Sequence, residues 1–169
     1  MLSIGDIIVY GSEGVCKVVD LQEIAFSSND KKEYYILVPE LNTSSKLYLP
    51  KDNDVLMSRV KPLLTYEEIK ELIQDTSNTI EWIEDSKARN KYYKELMSTY
   101  NRNNVFAIAK QLYLVKTGKL VTQVNFTNWM DDMLKKAAGI LYSEFAYVVN
   151  LSEEELLPFI AGEIDCNKK

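Results

Sequence analysis

Three lysines in the second half of the chain recur at helical spacing, and they are the clearest sign of chemistry in the sequence. Lys87, Lys91 and Lys94 are four and three residues apart, so on an α-helix they share one face. Ammonium groups in such a row suit the phosphate backbone of a nucleic acid, because each can neutralise one phosphate. A lysine face that only meets solvent has the same spacing, so the row leaves both interpretations open.

The lysine row belongs to a basic segment that the total charge conceals. The whole chain has a net charge of −5, but residues 86–119 carry eight basic residues against one acid, a net charge of +7. Residues 63–85, immediately before, carry one lysine and seven acids, a net charge of −6. Charge is therefore segregated along the chain, and 86–119 is the candidate segment for binding nucleic acid. Its basic residues are Lys87, Arg89, Lys91, Lys94, Arg102, Lys110, Lys116 and Lys119.

Catalytic chemistry has little support in the sequence. The chain contains no histidine, which excludes Ser-His-Asp and Cys-His sites within it and removes the most common zinc ligand. The acidic run 153–155 follows Ser152, a pattern typical of the first turn of a helix, where acids interact favourably with the helix dipole. No glycine-rich phosphate-binding motif and no metal-ligand spacing is present. We therefore expect a binding protein, not an enzyme, with no cofactor and no metal.

The overall composition fits a globular protein. Apolar residues make up 46% and charged residues 27% of the chain, and the apolar runs are too short to cross a membrane. Cys16 and Cys166 lie near opposite ends, which is not the pattern of a disulfide framework. Cys16 falls in a strand pattern and is predicted to be buried. No secretion signal is recognisable, so we expect a cytoplasmic protein.

Residues 5–50 have the pattern of short antiparallel strands. Apolar runs at 7–10 and 15–19 flank Gly11-Ser12-Glu13-Gly14, which predicts a β-hairpin whose loop uses the positive φ angles that glycine allows. The second strand can extend to residue 26. Further strands are predicted at 34–38, 47–49 and about 59–60. Short strands joined by tight turns predict a small, strongly bent antiparallel β-barrel over residues 1–62.

From Thr65 onwards the apolar period is that of helices, so residues 63–169 are predicted to form an all-helical second domain and the fold class is α+β. Thr65 and Glu68 form a capping box that begins the first helix. Further helices are predicted over about 80–100, 105–116, 128–145 and, after Ser152, a short one that Pro158 limits.

The two halves of the chain contain a collinear set of short motifs. In the first sixty residues these are IGDIIVY, EGV, EYYIL and LYLP, and in the second half YYK, VFAIA and LY, followed by the pattern from Leu134 to Phe145. In order and spacing they resemble the CarD/CdnL family of bacterial transcription regulators. The N-terminal domain of that family is similar to the RNA-polymerase-interacting domain of the transcription-repair coupling factor.

The resemblance implies a function in transcription. A Tudor-like barrel would dock on the β subunit of bacterial RNA polymerase, and the helical domain would reach promoter double-stranded DNA at the upstream edge of the bubble. Basic residues would hold the DNA backbone and a tryptophan would wedge into the minor groove, so that the open promoter complex is stabilised. The resemblance implies no membrane partner and no small-molecule substrate, and it places the protein in the cytoplasm, on the nucleoid through RNA polymerase.

The resemblance also assigns positions. The polymerase-facing positions fall near Ile24 and at Tyr48, where the family often has arginine. Lys91 and Lys94 align with basic DNA-contacting positions, and Lys87 shares their face. A further family lysine corresponds to about Asp131, an acid that would repel phosphate.

The position of the wedge leaves two alternatives. An ungapped alignment places it at Arg89, whereas Trp82 lies seven residues earlier, two helical turns away on much the same face. Either a local gap brings Trp82 into the role, which we prefer, or Arg89 contacts the minor groove. Because Arg89 and Asp131 depart from the family pattern, a protein-binding adaptor on RNA polymerase without DNA contact is the alternative function.

Overall fold

Five antiparallel strands form one sheet in the N-terminal part of the chain. The structure is a computed structural model that describes residues 1–165 and the backbone of Asn167–Lys168; Cys166 lies outside the described residues. The first of its two units is Met1–Leu63. Its strands are β1 Ile7–Tyr10, β2 Gly14–Ala25, β3 Lys31–Pro39, β4 Leu47–Pro50 and β5 Val60–Lys61. The strand order is β4-β3-β2-β1-β5.

The sheet is open, so the predicted closure into a barrel is not observed. β4 and β5 lie at opposite edges and do not pair with each other. Both are short, with four and two residues, which leaves little length for closing hydrogen bonds. The register of the long strand β2 against β3 shifts between Val18 and Asp20, and a bulge at such a point increases the bend and twist of its strand.

The predicted hairpin is confirmed. β1 pairs with β2 in the register Ile7 to Lys17, and Gly11 and Gly14 have φ angles of 48° and 74°, which a side chain would disfavour. Cys16 is fully buried in the core of this unit, as predicted. Burial raises the pKa of the Cys16 thiol to about 12, so the thiol stays protonated at neutral pH.

Helices form the second unit, Leu64–Lys169. A single helical turn, α1 Asp54–Met57, precedes it in the first unit and was not predicted. The second unit contains α2 Tyr66–Gln74, α3 Ser86–Ser98, α4 Arg102–Lys116, α5 Asn128–Val148 and α6 Glu153–Ile160. The capping boxes at Thr65 and Ser152 are both confirmed. A short strand pair, β6 Val149–Asn150 with β7 Asn167–Lys168, corrects the expectation of an all-helical domain. Of the helices in the described part of the chain, none has the length and apolar character that crossing a bilayer requires.

The predicted start of α3 near residue 80 is wrong, because side chains occupy the backbone carbonyls that a longer helix would use. Gln111 Nε2 donates to the carbonyl of Ile80 at 2.9 Å. Arg89 Nη1 donates to the carbonyls of Ile83 and Glu84 at 2.9 and 3.2 Å. The helix begins where the Asp85 side chain accepts from the Ala88 amide at 2.8 Å, which is an N-cap contact.

Glu144 is a buried acid that ties elements of the second unit together. Its carboxylate accepts from Arg102 Nε and Nη2, both at 2.8 Å, and from the Leu64 amide at 2.7 Å. The residue is 2% exposed. One buried charge therefore joins α5 to α4 and to the chain that enters α2, and the paired guanidinium compensates its burial.

We expect Glu144→Gln to lower the free energy of unfolding of the helical unit by about 2 kcal/mol, because the amide keeps the shape but loses the charge that faces Arg102. Urea unfolding followed by circular dichroism measures this change. The control is Asp131→Asn, which removes the exposed ion pairs of Asp131 with Lys116 and Lys135 and should cost much less. Equal losses in the two variants would contradict the role of Glu144.

Candidate polymerase and nucleic-acid interfaces

Strand β4 presents a free backbone edge. The Lys51 amide donates to the Glu33 carbonyl at 3.0 Å, and the register pairs Tyr34 with Pro50 and Ile36 with Tyr48. Hydrogen-bonded pairs alternate along an antiparallel ladder, so the pair of Ile36 and Tyr48 is not hydrogen-bonded. The N–H and C=O of Tyr48 therefore point away from β3, towards the open edge. Pro50, which has no N–H to donate, limits that edge.

The two predicted polymerase-facing positions share one face of the sheet. Tyr48 is opposite Ile36 and Ile24 is opposite Lys32, and residues two apart on β3 point to the same side. We call this side the outer face; the core residues Tyr35, Leu37 and Leu49 lie on the other. Tyr48 is 50% exposed and Ile24 is half-buried.

Aromatic side chains extend the outer face beyond these two positions. Phe26 is 73% exposed and meets Tyr34 edge-on, with ring centroids 5.4 Å apart. Tyr34 lies two residues from both Lys32 and Ile36 and therefore belongs to the same face. Sequence reasoning did not single out Phe26 and Tyr34 for this face, although Phe26 lies two residues after Ile24 and Tyr34 two residues after Lys32, a spacing that was visible in the sequence.

Residues 2–61 match the model of the CarD-like/TRCF RID domain. The N-terminal unit belongs to this domain family. The match confirms the resemblance to CarD-like proteins, and it covers the five strands including β4; we call Met1–Leu63 the RID domain. A RID domain implies an interaction with RNA polymerase and a role related to transcription. The chain has no significant match among curated proteins.

The helical unit presents the predicted lysine row. Lys87, Lys91 and Lys94 are all exposed on α3, and at about 100° per residue they lie within an arc of roughly 60°. None of the carboxylates in residues 1–165 forms an ion pair with them. The row is thus a compact positive surface of three ammonium groups, as the sequence predicted.

The rest of the basic segment is largely neutralised by acids that are distant in sequence. Arg102 pairs with Glu144 at 2.8 Å, Lys116 pairs with Asp131 at 2.7 Å, and Lys119 pairs with Glu163. Counting charge along the chain could not show these pairs, because the acids lie outside 86–119. Within the described residues, the members of the segment left without a carboxylate are the lysine row, Lys110 and the buried Arg89.

Asp131 is held in ion pairs. Its carboxylate accepts from Lys116 and Lys135, and these hydrogen bonds lower the pKa of Asp131. The position that aligns with a family lysine therefore carries an acid whose charge two neighbouring ammonium groups offset. Its expected repulsion of phosphate is reduced accordingly.

Arg89 does not fit the role of a minor-groove contact. It is 2% exposed, and its guanidinium is occupied by the carbonyls of Ile83 and Glu84. Its spacing of four and eight residues from Tyr93 and Met97, both buried, places it on the apolar face of α3. That spacing was visible in the sequence and shows that Arg89 lies on the opposite side from the lysine row.

Trp82 lies in the segment before α3, so the expected relation of two helical turns to position 89 is wrong. The indole is half-buried and packs against the helical core, and the Arg89 guanidinium carbon lies 4.7 Å from its ring centroid. The structure therefore groups Trp82 with Arg89 and the lysines with one another. The wedge role of Trp82 stays a prediction.

We expect Arg89→Leu to loosen the segment 80–85, because two backbone carbonyls lose their donor and the indole loses its cationic neighbour. In a Trp129→Phe background, where Trp82 is the sole tryptophan, its emission should shift to longer wavelength. Lys91→Leu, an exposed change on the same helix, is the control and should leave the emission unchanged. An unshifted spectrum for Arg89→Leu would show that Arg89 does not hold the segment.

Proposed function

We propose that this chain is a non-enzymatic transcription regulator that binds the β subunit of bacterial RNA polymerase through its RID domain and promoter DNA through its helical unit. The observation that carries the proposal is the RID match together with the open β4 edge on that domain. Its place of action is then the nucleoid, in the cytoplasm, where RNA polymerase is engaged.

Docking proceeds by strand addition in this proposal. An exposed edge with an outward N–H and C=O is a template for a strand of another chain. Tyr48 supplies both groups, and its half-exposed ring can cover the added strand. The outer face supplies further apolar contact through Phe26 and Tyr34, which takes the place of the arginines common in the family.

DNA contact rests on the lysine row. Lys87 and Lys94 are separated by about 10 Å along the helix axis, which corresponds to roughly three intervals between successive phosphates of one DNA strand at about 3.4 Å axial spacing. Backbone contacts of this kind position a protein without reading sequence. In the proposed mechanism they stabilise the open promoter complex by holding the duplex at the upstream edge of the bubble.

The lifetime of the open complex tests this mechanism. With purified polymerase and a promoter whose open complex is short-lived, the protein should lengthen the half-life after addition of a competitor. Lys91→Glu with Lys94→Glu should remove this effect while the variant still binds polymerase. An unchanged half-life with wild-type protein bound to polymerase would contradict stabilisation of the open complex.

A second candidate function is an adaptor on RNA polymerase without DNA contact. The neutralisation of Arg102, Lys116 and Lys119 by acids favours it, because little positive surface remains beyond the lysine row. Measurable affinity of the isolated protein for duplex DNA, falling steeply with salt, would exclude this alternative.

A further inference from the structure

A groove of about 340 Å³ lies in the helical unit, lined by residues 78–80 and Trp82 of the segment before α3, by α4 and by Leu120. Its walls are mainly apolar and include Ile80, Trp82, Ala107 and Leu114. Lys110 is the charged residue in its lining. A volume in this range is typical of small-molecule sites, which combine apolar walls with a few polar groups.

The lining polar groups that have no partner are donors. The Nδ2 of Asn78 and the Nε1 of Trp82 are buried and have no hydrogen-bond partner. Gln111 is already engaged, since its Nε2 donates to Ile80 and its Oε1 accepts from the Tyr93 hydroxyl. Unpaired buried donors are costly, so an acceptor in this region would satisfy groups that the chain leaves unsatisfied.

Lys110 is available as a counter-ion. No carboxylate of the described residues forms an ion pair with it, and its ammonium lies 6.0 Å from the centroid of the Phe106 ring. The nearby acid is Asp75, whose carboxylate accepts from the hydroxyl and amide of Ser77 at 2.6 and 2.9 Å. The hydrogen bonds from Ser77 are the main cause of the lowered pKa of Asp75, and the charge of Lys110 contributes the least to it.

We propose that this groove binds a small amphiphilic carboxylate, with Lys110 as the counter-ion and the apolar walls around its tail. A single cation suits a monoanionic head, whereas a phosphate dianion requires several donors. A water-sized group takes about 30 Å³, so the groove has room for on the order of ten such groups. A medium-chain carboxylate has about this many non-hydrogen atoms. The head would lie at Lys110, and the segment 78–82 would adjust so that the Trp82 N–H also donates to it.

Calorimetric titration of the full chain with decanoate, below its micellar concentration, tests the proposal. We expect saturable binding at one site, weaker binding of the neutral analogue decanol, and a maximum in affinity at intermediate tail length. Lys110→Gln should weaken decanoate at least about tenfold while leaving decanol unchanged, since only the charged contact is lost. Lys136→Gln, an exposed lysine of α5, is the control and should bind decanoate like the wild type.

Three outcomes of the titrations would overturn the proposal. They are no saturable binding of decanoate, equal affinity for decanoate and decanol, or unchanged decanoate affinity in a folded Lys110→Gln variant. In the Trp129→Phe background, bound decanoate should also change the emission of Trp82, and an unchanged spectrum at saturation would place the ligand elsewhere. Because these experiments contain neither polymerase nor DNA, their failure leaves the proposed transcription function untouched.

Discussion

Replacing Tyr48 by proline is expected to weaken binding to RNA polymerase at least about a hundredfold. The substitution removes the outward N–H and places a ring where the added strand would lie, so it leaves a buried acceptor of the partner unpaired. The sheet itself should tolerate the change, because the Tyr48 amide is not bonded to β3 and proline is accepted on edge strands. Binding of the full-length variant to purified polymerase, measured by biolayer interferometry, gives the affinity.

Two control variants separate the backbone from the side chain. Tyr48→Thr keeps the N–H and the strand preference and should lose less than about tenfold, the part that the ring contributes. Leu49→Pro removes an inward N–H that bonds to Tyr35 and should unfold the RID domain. If Tyr48→Pro is folded and binds like the wild type, docking does not use the β4 edge.

Reversing the lysine row is expected to lower the affinity of the protein for duplex DNA by more than about a hundredfold at low salt. In Lys87→Glu, Lys91→Glu and Lys94→Glu combined, three attractive contacts with phosphates become repulsive. The wild-type protein should show a slope of log affinity against log salt near −3, because each neutralised phosphate contributes about −0.9. Fluorescence anisotropy with a labelled duplex at several salt concentrations measures both quantities.

Single-residue variants within the row and a lysine outside it show whether the effect depends on position or only on net charge. Each single Lys→Gln change should reduce the slope by about 0.9. Lys17→Glu, an exposed lysine on β2, gives the same change in charge as one Lys→Glu reversal within the row and should have a much smaller effect. If Lys17→Glu weakens binding as much as a reversal within the row, only net charge matters and α3 is not a specific contact surface.

Local signals made much of the fold predictable. The hairpin around Gly11 and Gly14 and the capping boxes at Thr65 and Ser152 depend on residues that are close in sequence, and all are confirmed. The lysine row is predictable for the same reason, since helical spacing alone places its members on one face. The exposure of all three lysines follows because the opposite side of α3 carries Tyr93 and Met97.

Long-range contacts account for the features that were missed. The start of α3 depends on Gln111, which is 31 residues from Ile80 and holds its carbonyl. The neutralisation of Arg102 depends on Glu144, which is 42 residues away. Neither a charge count nor an apolar period, taken over a short stretch of sequence, can detect contacts between residues that are so far apart along the chain. The open sheet has the same origin, because closure depends on how two strands that are distant in sequence meet.

Arg89 is a charged residue whose environment in the structure differs from the one that alignment with the family suggested. Alignment made it a candidate for the DNA groove, but its place on the apolar face directs the guanidinium to the carbonyls of Ile83 and Glu84. It shapes the segment that carries Trp82 and is a positioning residue for that segment. The proposed DNA contact of the helical unit is therefore assigned to Lys87, Lys91 and Lys94, and Arg89 has no part in it.

Hydrogen exchange of the full chain, with and without bacterial RNA polymerase, tests most directly the claim that the RID domain docks through β4. In the free protein the Tyr48 amide points to solvent and should exchange rapidly. With polymerase bound, its exchange should slow strongly, together with that of the neighbouring β4 amides, while the amides of Val60 and Lys61 at the opposite edge stay unchanged. Unaltered exchange at Tyr48 in a demonstrated complex would contradict docking at this edge.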